Sequence, residues 1–119
     1  MALSLLIVDD HPAFRSLASE LFGHQGFDVA GEAADGESAL EQVRRLRPDV
    51  VLLDVQLPGI DGFEVAASLS RQVRAPRVVL TSSREAAEYG ERLRSAPVLG
   101  FIPKRELSGA TLTALVGDG

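Results

Sequence analysis

Three aspartates directly follow apolar runs of the chain. Asp9 and Asp10 come after residues 5–8, and Asp54 comes after residues 50–53. If both runs are neighbouring strands, the three carboxylates emerge at the same edge of a sheet. Clustered carboxylates raise one another's pKa unless a cation neutralises them. Because these are hard oxygen ligands and the chain has no cysteine, we predict a site for Mg²⁺ or a similar ion.

A hydroxyl and an ammonium group follow two further apolar runs. Thr81 comes after residues 78–80, and Lys104 comes after residues 98–102 and Pro103. A carboxylate beside Mg²⁺ can act as a nucleophile and form an acyl phosphate, and lysine pairs with phosphate as a compact point charge. The combination predicts phosphoryl transfer to an aspartate.

The elements that must position these groups alternate along the chain. The apolar runs are short and unbroken by polar residues, as in strands covered on both faces of a parallel sheet, and the segments between them have helical period. We predict strands at residues 5–8, 27–30, 50–53, 78–80 and 98–102, and helices at 12–22, 39–46, 63–73, 85–94 and 107–116. Five alternating pairs indicate an α/β fold with a doubly wound parallel sheet, for which the flavodoxin-like strand order 2-1-3-4-5 is a common solution.

Length and charge limit the classes of function. The 119 residues suit one domain, predicted to cover residues 1–119, and 45% hydrophobic with 24% charged residues is the composition of a globular protein. The net charge of −5 disfavours direct binding of nucleic acid. We expect neither a signal peptide nor a membrane span, and the absence of cysteine favours the cytoplasm.

The ordered motifs resemble one known family. Residues 5–12 (LLIVDDHP), residues 51–62 (VLLDVQLPGIDG), Thr81 and Lys104 are similar to those of response-regulator receiver domains, over nearly the whole chain. Taken alone, the acidic pair Asp9-Asp10 and the motif around Asp54 only suggest this family, whereas their combination in this order is specific to it. Asp9-Asp10-His11-Pro12 is closest to the receivers that often precede helix-turn-helix output domains.

The resemblance implies a role for each site residue. Asp54 would accept a phosphoryl group from a histidine kinase, while Asp10, Asp54 and the backbone carbonyl of Gln56 hold Mg²⁺ and Asp9 assists through water. Thr81 and Lys104 would contact phosphoryl oxygens.

The resemblance also implies the output. Phe101 would change its burial in a shift between two states, and Gln56 and Ser83 would set the lifetime of the phosphate. The domain would catalyse only its own phosphorylation and dephosphorylation, which makes it a switch rather than an enzyme. A homodimer or an output protein would bind the face formed by the fourth helix, the fifth strand and the fifth helix.

Simpler interpretations exist for single residues. Asp9 and Asp10 alone could cap the first helix, Thr81 could belong to a hydroxyl-rich loop, and Phe101 is a core residue by default. His11 is interpreted as structural or capping, because no second histidine or cysteine is near. Arg44, Arg45 and Arg47 are interpreted as the solvated face of the second helix rather than a nucleic-acid patch.

Two departures from the family pattern stand out. Proline precedes Lys104 instead of following it, so the cis bond common in the family is not expected. The fourth helix is predicted to be short or mobile, because Gly90 costs about 1 kcal/mol relative to alanine and Pro97 interrupts the approach to strand five. This irregularity weakens the case for the usual dimer.

Two other functions remain open at this stage. A degenerate receiver would bind a protein partner without Mg²⁺ or phosphate. A phosphatase of the haloacid-dehalogenase type would need a second aspartate two residues after the nucleophile, where this chain has Gln56.

Overall fold

Five strands and five α-helices alternate in the computed structural model, which describes residues 2–117. The strands are β1 (Ser4–Val8), β2 (Asp28–Ala33), β3 (Val50–Asp54), β4 (Arg77–Ser82) and β5 (Gly100–Pro103). The helices are α1 (Pro12–His24), α2 (Gly36–Leu46), α3 (Gly62–Ser70), α4 (Glu91–Arg94) and α5 (Gly109–Val116), with 3₁₀ turns at Ala86–Glu88 and Lys104–Glu106. Met1, Asp118 and Gly119 belong to the predicted domain of residues 1–119 but lie outside the described residues.

The strands form one parallel sheet in the order β2-β1-β3-β4-β5. This confirms the predicted fold class and strand order. Every residue of β3 is buried, as expected for a central strand covered on both faces. The register places Asp54 at the end of β3 beside Thr81 of β4, so the carboxyl ends of the central strands share one edge.

Two apolar clusters cover the two faces of the sheet. Side chains of α2 and α3 pack with Leu6, Leu53 and Leu80 on one face, and side chains of α1 and α5 pack with Ile7 and Leu52 on the other. Alternate residues of each strand point to opposite faces. Each fully buried leucine or isoleucine contributes about 1.5–3 kcal/mol to folding, and this rigid layer fixes the strand ends.

Several helix details differ from the sequence prediction. Helix α1 continues to His24 rather than ending at residue 22, and α2 begins at Gly36 rather than at residue 39. Leu17 follows the apolar period of α1 but is 68% exposed, because the buried stripe of that helix is carried by Ala18 and Phe22. Helix α3 ends at Ser70, whose hydroxyl donates to the carbonyl of Ala67, rather than at Val73. Helix α5 begins two residues later than predicted, after a capping box that starts at Ser108.

The fourth helix is short, as predicted. The predicted segment 85–94 splits into a 3₁₀ turn and the four residues of α4, separated by Gly90 with φ +54°. A left-handed conformation suits glycine and interrupts the helix. Across residues 2–117, no helix is long and apolar enough to cross a bilayer.

Candidate functional site

The end of β1 and the end of β3 bring two buried aspartates together. Asp9 directly follows β1 with no exposed area, and Asp54 ends β3 with 3% exposed. Asp10 and His11 continue the chain after Asp9 and are exposed. One potential ligand atom from each of these four residues lies within 4.8 Å of the others. The predicted convergence of Asp9, Asp10 and Asp54 is therefore observed.

Backbone amides orient the two buried carboxylates. Asp9 Oδ1 accepts a hydrogen bond of 2.9 Å from the N–H of His11, and Asp54 Oδ1 accepts one of 3.1 Å from the N–H of Gln56. Both donors lie two residues after the acid, as in an Asx turn. The chain segments that leave β1 and β3 thus hold one oxygen of each acid in place.

Lys104 reaches the two carboxylates from the end of β5. Its Nζ lies 2.6 Å from Asp9 Oδ2 and 3.4 Å from Asp54 Oδ2. The contact with Asp9 is an ion pair without good hydrogen-bond geometry, and Asp9 Oδ2 is buried with no hydrogen-bond donor from residues 2–117. The same ammonium lies 4.3 Å from the centre of the Phe14 ring, a cation–π arrangement.

Burial and neighbouring charge set the protonation of this group. Burial, followed by the negative charge of Asp9, raises the pKa of Asp54 to about 6. Burial also acts to raise the pKa of Asp9, but contacts with Lys104 and the His11 amide outweigh it and leave that pKa below its usual value. Burial acts to lower the pKa of Lys104, and the two carboxylates outweigh it and raise that pKa. At neutral pH the site holds two buried anions and one cation.

The charges and oxygen atoms of this site suit a divalent cation. One ammonium is shared by two buried carboxylates and a third, Asp10, lies beside them, so negative charge remains. Asp9 Oδ2, buried without a hydrogen-bond donor, has lone pairs available. Oxygen ligands suit Mg²⁺. The acidic cluster is thus compatible with a divalent metal site.

Thr81 and Phe101 occupy neighbouring strands beside the carboxylates. Thr81 is buried next to Asp54, and its hydroxyl donates a 2.6 Å hydrogen bond to the carbonyl of Ile102. Phe101 is half-buried, with its ring centre 6.0 Å from that of Tyr89. The predicted positions of both residues agree with the fold, and their roles as switch residues stay predictions.

The loop between β3 and α3 passes close to the phosphoacceptor candidate. An added Cβ at Gly62 would lie 2.5 Å from the carbonyl oxygen of Asp54 and 2.7 Å from the Cα of Val55. Asp61 then caps α3 in a capping box with Glu64. Only glycine permits this close approach of α3 to the end of β3, and it fixes the loop that carries Gln56.

Sequence reasoning missed the contacts of four side chains around the site. His11 occupies the N-cap position of α1, in agreement with its interpretation as structural or capping, but its side chain makes no capping hydrogen bond, and its Nδ1 lies 3.0 Å from Asp9 and 3.1 Å from Asp10. Arg15 donates a 2.6 Å hydrogen bond to the carbonyl of Asp9. Phe14 covers Lys104, and Tyr89 bonds to Ser82. Adjacency to the acids could have indicated His11. The contacts of Arg15 with Asp9 and of Tyr89 with Ser82 span six and seven residues but carry no motif, and Phe14 and Lys104 are distant in sequence.

Comparisons with known proteins identify response regulators as similar to this chain. The family model described as "Response regulator receiver domain" matches residues 5–116. The chain is 36% identical over 115 residues to the response regulator GacA of Pseudomonas viridiflava, covering 96% of this chain and 52% of that protein. It is 29% identical over 104 residues to the DNA-binding transcriptional activator EvgA of Escherichia coli K12, covering 87% of this chain and 51% of that protein.

A solved structure matches over nearly its full length. The chemotaxis response regulator CheY4 of Vibrio cholerae superposes with a TM-score of 0.82 at 25% identity, covering 96% of this chain and 95% of that one. In contrast, the chain spans about half the length of GacA and of EvgA. The similarity to these regulators therefore lies in one part of each.

Proposed function

Because the chain belongs to the response regulator receiver family of two-component signal transduction, we propose that Asp54 accepts a phosphoryl group from the phosphohistidine of a sensor histidine kinase. We propose further that residues 1–119 fold as one such domain. The observation that carries the proposal is the contact of Lys104 with two buried carboxylates, Asp9 and Asp54. A buried acid beside a second acid and a cation is a common arrangement for a reactive carboxylate.

The transfer step needs an ionised, oriented nucleophile. A carboxylate oxygen of Asp54 attacks phosphorus, the bond from phosphorus to the histidine nitrogen breaks, and its electron pair returns to the imidazole, which is protonated from solvent. With a pKa of about 6, Asp54 is mostly ionised at neutral pH. The Gln56 amide holds one of its oxygens, which limits the orientations that must be searched.

Asp10, Asp54 and the backbone carbonyl of Gln56 are the proposed ligands of Mg²⁺, with Asp9 acting through a bound water. When bound, Mg²⁺ neutralises the charge that gathers on the phosphoryl oxygens during transfer. Lys104 then pairs with a phosphoryl oxygen, for which its short distances to Asp9 and Asp54 leave it well placed. Apart from this neutralisation of charge, the protein groups contribute by orienting the reacting atoms and by excluding water.

The output is a change of surface rather than a released product. Thr81 exchanges its hydrogen bond to the carbonyl of Ile102 for one to the phosphoryl group, and Phe101 moves inward with the loop after β4. Each new contact is made only in the phosphorylated state, so phosphorylation shifts the population of two conformations. In this proposal the domain is a switch that modifies only itself.

The partners follow from the same proposal. A histidine kinase supplies the phosphoryl group, and a homodimer or output protein binds the face of α4, β5 and α5. Leu99 is 48% exposed next to β5, and Arg105 pairs with Glu85 across this face. A cytoplasmic location is part of the proposal, because the kinase draws its phosphoryl group from ATP.

Two exposed side chains are proposed to set the lifetime of the phosphate. Gln56 lies two residues after Asp54, and Ser83 lies two residues after Thr81; both are exposed. Side chains at these positions can admit or exclude the water that hydrolyses the acyl phosphate. Unchanged decay of the phosphoprotein in both Gln56→Ala and Ser83→Ala would contradict this part.

Intact-mass analysis with a small acyl-phosphate donor tests the proposal. We expect one phosphoryl adduct on the wild type with Mg²⁺, none after chelation, and none on Asp54→Ala. Asp28→Ala, which removes an exposed aspartate at the opposite edge of the sheet, should be modified like the wild type. No adduct on folded wild-type protein would refute the proposal and favour a domain that binds partners without phosphorylation.

A further inference from the structure

The arginines fall into two groups that differ in ion pairing. The first group makes ion pairs with carboxylates: Arg15, Arg84, Arg92, Arg94 and Arg105. The second group makes none with any carboxylate of residues 2–117: Arg44, Arg45, Arg47, Arg71, Arg74 and Arg77. The second group is concentrated at the end of α2 and between α3 and β4. A chain with net charge −5 thus carries a local basic surface.

Four of these arginines surround a groove at the edge of the sheet opposite the phosphorylation site. The groove has a volume of about 720 Å³, and its lining includes Arg44 and Arg47 from the end of α2 and Arg74 and Arg77 from the segment that leads into β4. The guanidinium of Arg77 also donates a 2.8 Å hydrogen bond to the carbonyl of Val116. The one carboxylate in its lining, Asp49, already accepts hydrogen bonds from the backbone and the hydroxyl of Ser4. Like charges gathered around a groove repel, and an anion placed between them relieves that repulsion.

The groove also offers an apolar surface. Ala75 and Pro76 line it, and Val73 in the same lining is fully exposed at 104%. One exposed valine alone has little meaning. In the same lining as the arginines, however, it can contact an apolar side chain of the ligand that the arginines bind.

Arg47 occupies a backbone position that favours glycine. It follows the last residue of α2 with φ +49° and ψ +57°. Helices commonly end in this left-handed conformation with glycine, because a Cβ makes it unfavourable. Arg47 keeps this unfavourable backbone conformation and lines the groove. We infer that its side chain contributes to binding there.

We propose that this groove binds an acidic peptide segment of a partner protein, one that also carries an apolar side chain. Guanidinium groups bind carboxylates through paired hydrogen bonds, and Pro76 and Val73 supply the apolar contact. A nucleic acid fits less well, because no aromatic residue lines the groove for base stacking and the chain as a whole is negative. The proposal goes beyond phosphoryl transfer and does not require it.

Fluorescence anisotropy on the unphosphorylated protein tests the proposal. The probe is a labelled short peptide of alternating glutamate and leucine, at low salt. We expect saturable binding that weakens about tenfold in Arg44→Gln/Arg74→Gln. The matched control, Arg84→Gln/Arg94→Gln, makes the same change of net charge outside the groove, and its affinity should stay within about twofold of wild type.

Further measurements separate this groove from general charge attraction. Val73→Ser should weaken binding without a change of charge, and a glutamate–serine peptide should bind more weakly than the glutamate–leucine peptide. Arg47→Gly should raise the Tm while it weakens binding. Equal losses in both arginine pairs, or tighter binding of a labelled single-stranded oligonucleotide than of the peptide, would overturn the proposal. Asp54→Ala should bind the peptide normally, so a failure of the phosphorylation proposal is distinguishable.

Discussion

The ammonium of Lys104 lies 2.6 Å from the Oδ2 atom of Asp9. The same ammonium is 3.4 Å from Asp54, so one positive charge serves two buried negative charges. Burial and then the charge of Asp9 raise the pKa of Asp54 to about 6, whereas the closer contact with Lys104 and the His11 amide outweigh burial and lower the pKa of Asp9. The carboxylate proposed as the nucleophile is thus the less stabilised of the pair.

The first prediction concerns metal-free stability and pH. The pKa of Asp54 rises from 3.8 in the unfolded chain to about 6 in the folded one, so its charge destabilises the fold fully above pH 6. That cost is lost as pH falls from about 6 toward 3.8. In chelator, Asp54→Asn should therefore be more stable than wild type at pH 8, by at most about 3 kcal/mol, with a shrinking difference near pH 4.

Urea unfolding at several pH values measures this effect. Mg²⁺ should stabilise the wild type at pH 8 more than the Asp54→Asn variant, because the variant has lost one proposed ligand. Asp28→Asn, at an exposed site, is the matched control and should follow the wild type at every pH. A variant less stable than wild type in chelator at pH 8 would show that Lys104 fully compensates the buried charge.

The second prediction concerns the close approach of α3 to β3. Gly62→Ala should destabilise the domain by about 1–3 kcal/mol, because the new Cβ would lie 2.5 Å from the carbonyl oxygen of Asp54. The shift would also move the loop that carries Gln56, so phosphorylation should slow. Gly23→Ala in α1 meets nothing within 4 Å and should leave stability unchanged or raised by up to about 1 kcal/mol.

Thermal unfolding and the rate of adduct formation check both glycine variants. If Gly62→Ala were as stable as Gly23→Ala, the backbone of β3 and α3 would have to separate freely. That outcome would contradict the rigid coupling of the loop to the strand end that we infer.

The fold could be predicted largely from the sequence because its central strands are unbroken apolar runs. Residues 50–53 are buried on both faces of β3, and Asp54 then falls at the strand end by necessity. The same logic located Asp9, Thr81 and Lys104. Strand ends in a parallel sheet share one edge, so the spacing of the runs was sufficient to bring these groups together.

The remaining contacts depend on packing between distant segments. Lys104 and Phe14 are 4.3 Å apart in space but belong to β5's end and to α1, and no local pattern joins them. Leu17 was wrongly assigned to the buried stripe because the apolar spacing in α1 fits more than one face of the helix. Which face is covered depends on the elements that pack against it. The left-handed conformation of Arg47 likewise depends on how α2 ends. It could not be predicted from the residue type, because arginine disfavours this conformation.

The third prediction concerns Phe14 as a support for Lys104. Phe14→Leu keeps an apolar side chain but removes the ring that lies 4.3 Å from the ammonium, an interaction of about 0.5–2 kcal/mol. Lys104 should then lose part of its orientation, and adduct formation from a small donor should slow by about twofold to tenfold. Phe14→Tyr retains the ring face and should react at the wild-type rate.

Mg²⁺ affinity separates this effect from a general disturbance of the site. It should be the same in Phe14→Leu and in wild type, since Phe14 contacts the lysine and is not a proposed ligand. If Phe14→Leu reacted at the wild-type rate, Phe14 would not orient Lys104.

The fourth prediction concerns the bond between Tyr89 and Ser82. Their side-chain oxygens are 2.7 Å apart, and the Ser82 oxygen also accepts a hydrogen bond from the amide of Arg84. Tyr89→Phe keeps the edge-to-face contacts of the ring with Phe63 and Phe101 but leaves the buried Ser82 hydroxyl with the Arg84 amide as its one remaining partner, at a cost of about 1 kcal/mol.

The consequence should be local, because the bond ties the segment after β4 to the 3₁₀ turn and α4. Amide hydrogen exchange should accelerate for residues 83–88 in Tyr89→Phe, while residues 50–54 keep their wild-type protection. Ser82→Ala removes the other partner and should give the same pattern, and the double variant should be no more perturbed than either single one. If the proposed switch moves this segment, the loosened variant should reach the phosphorylated conformation more readily, whereas unchanged exchange in residues 83–88 would show that the ring contacts alone hold it.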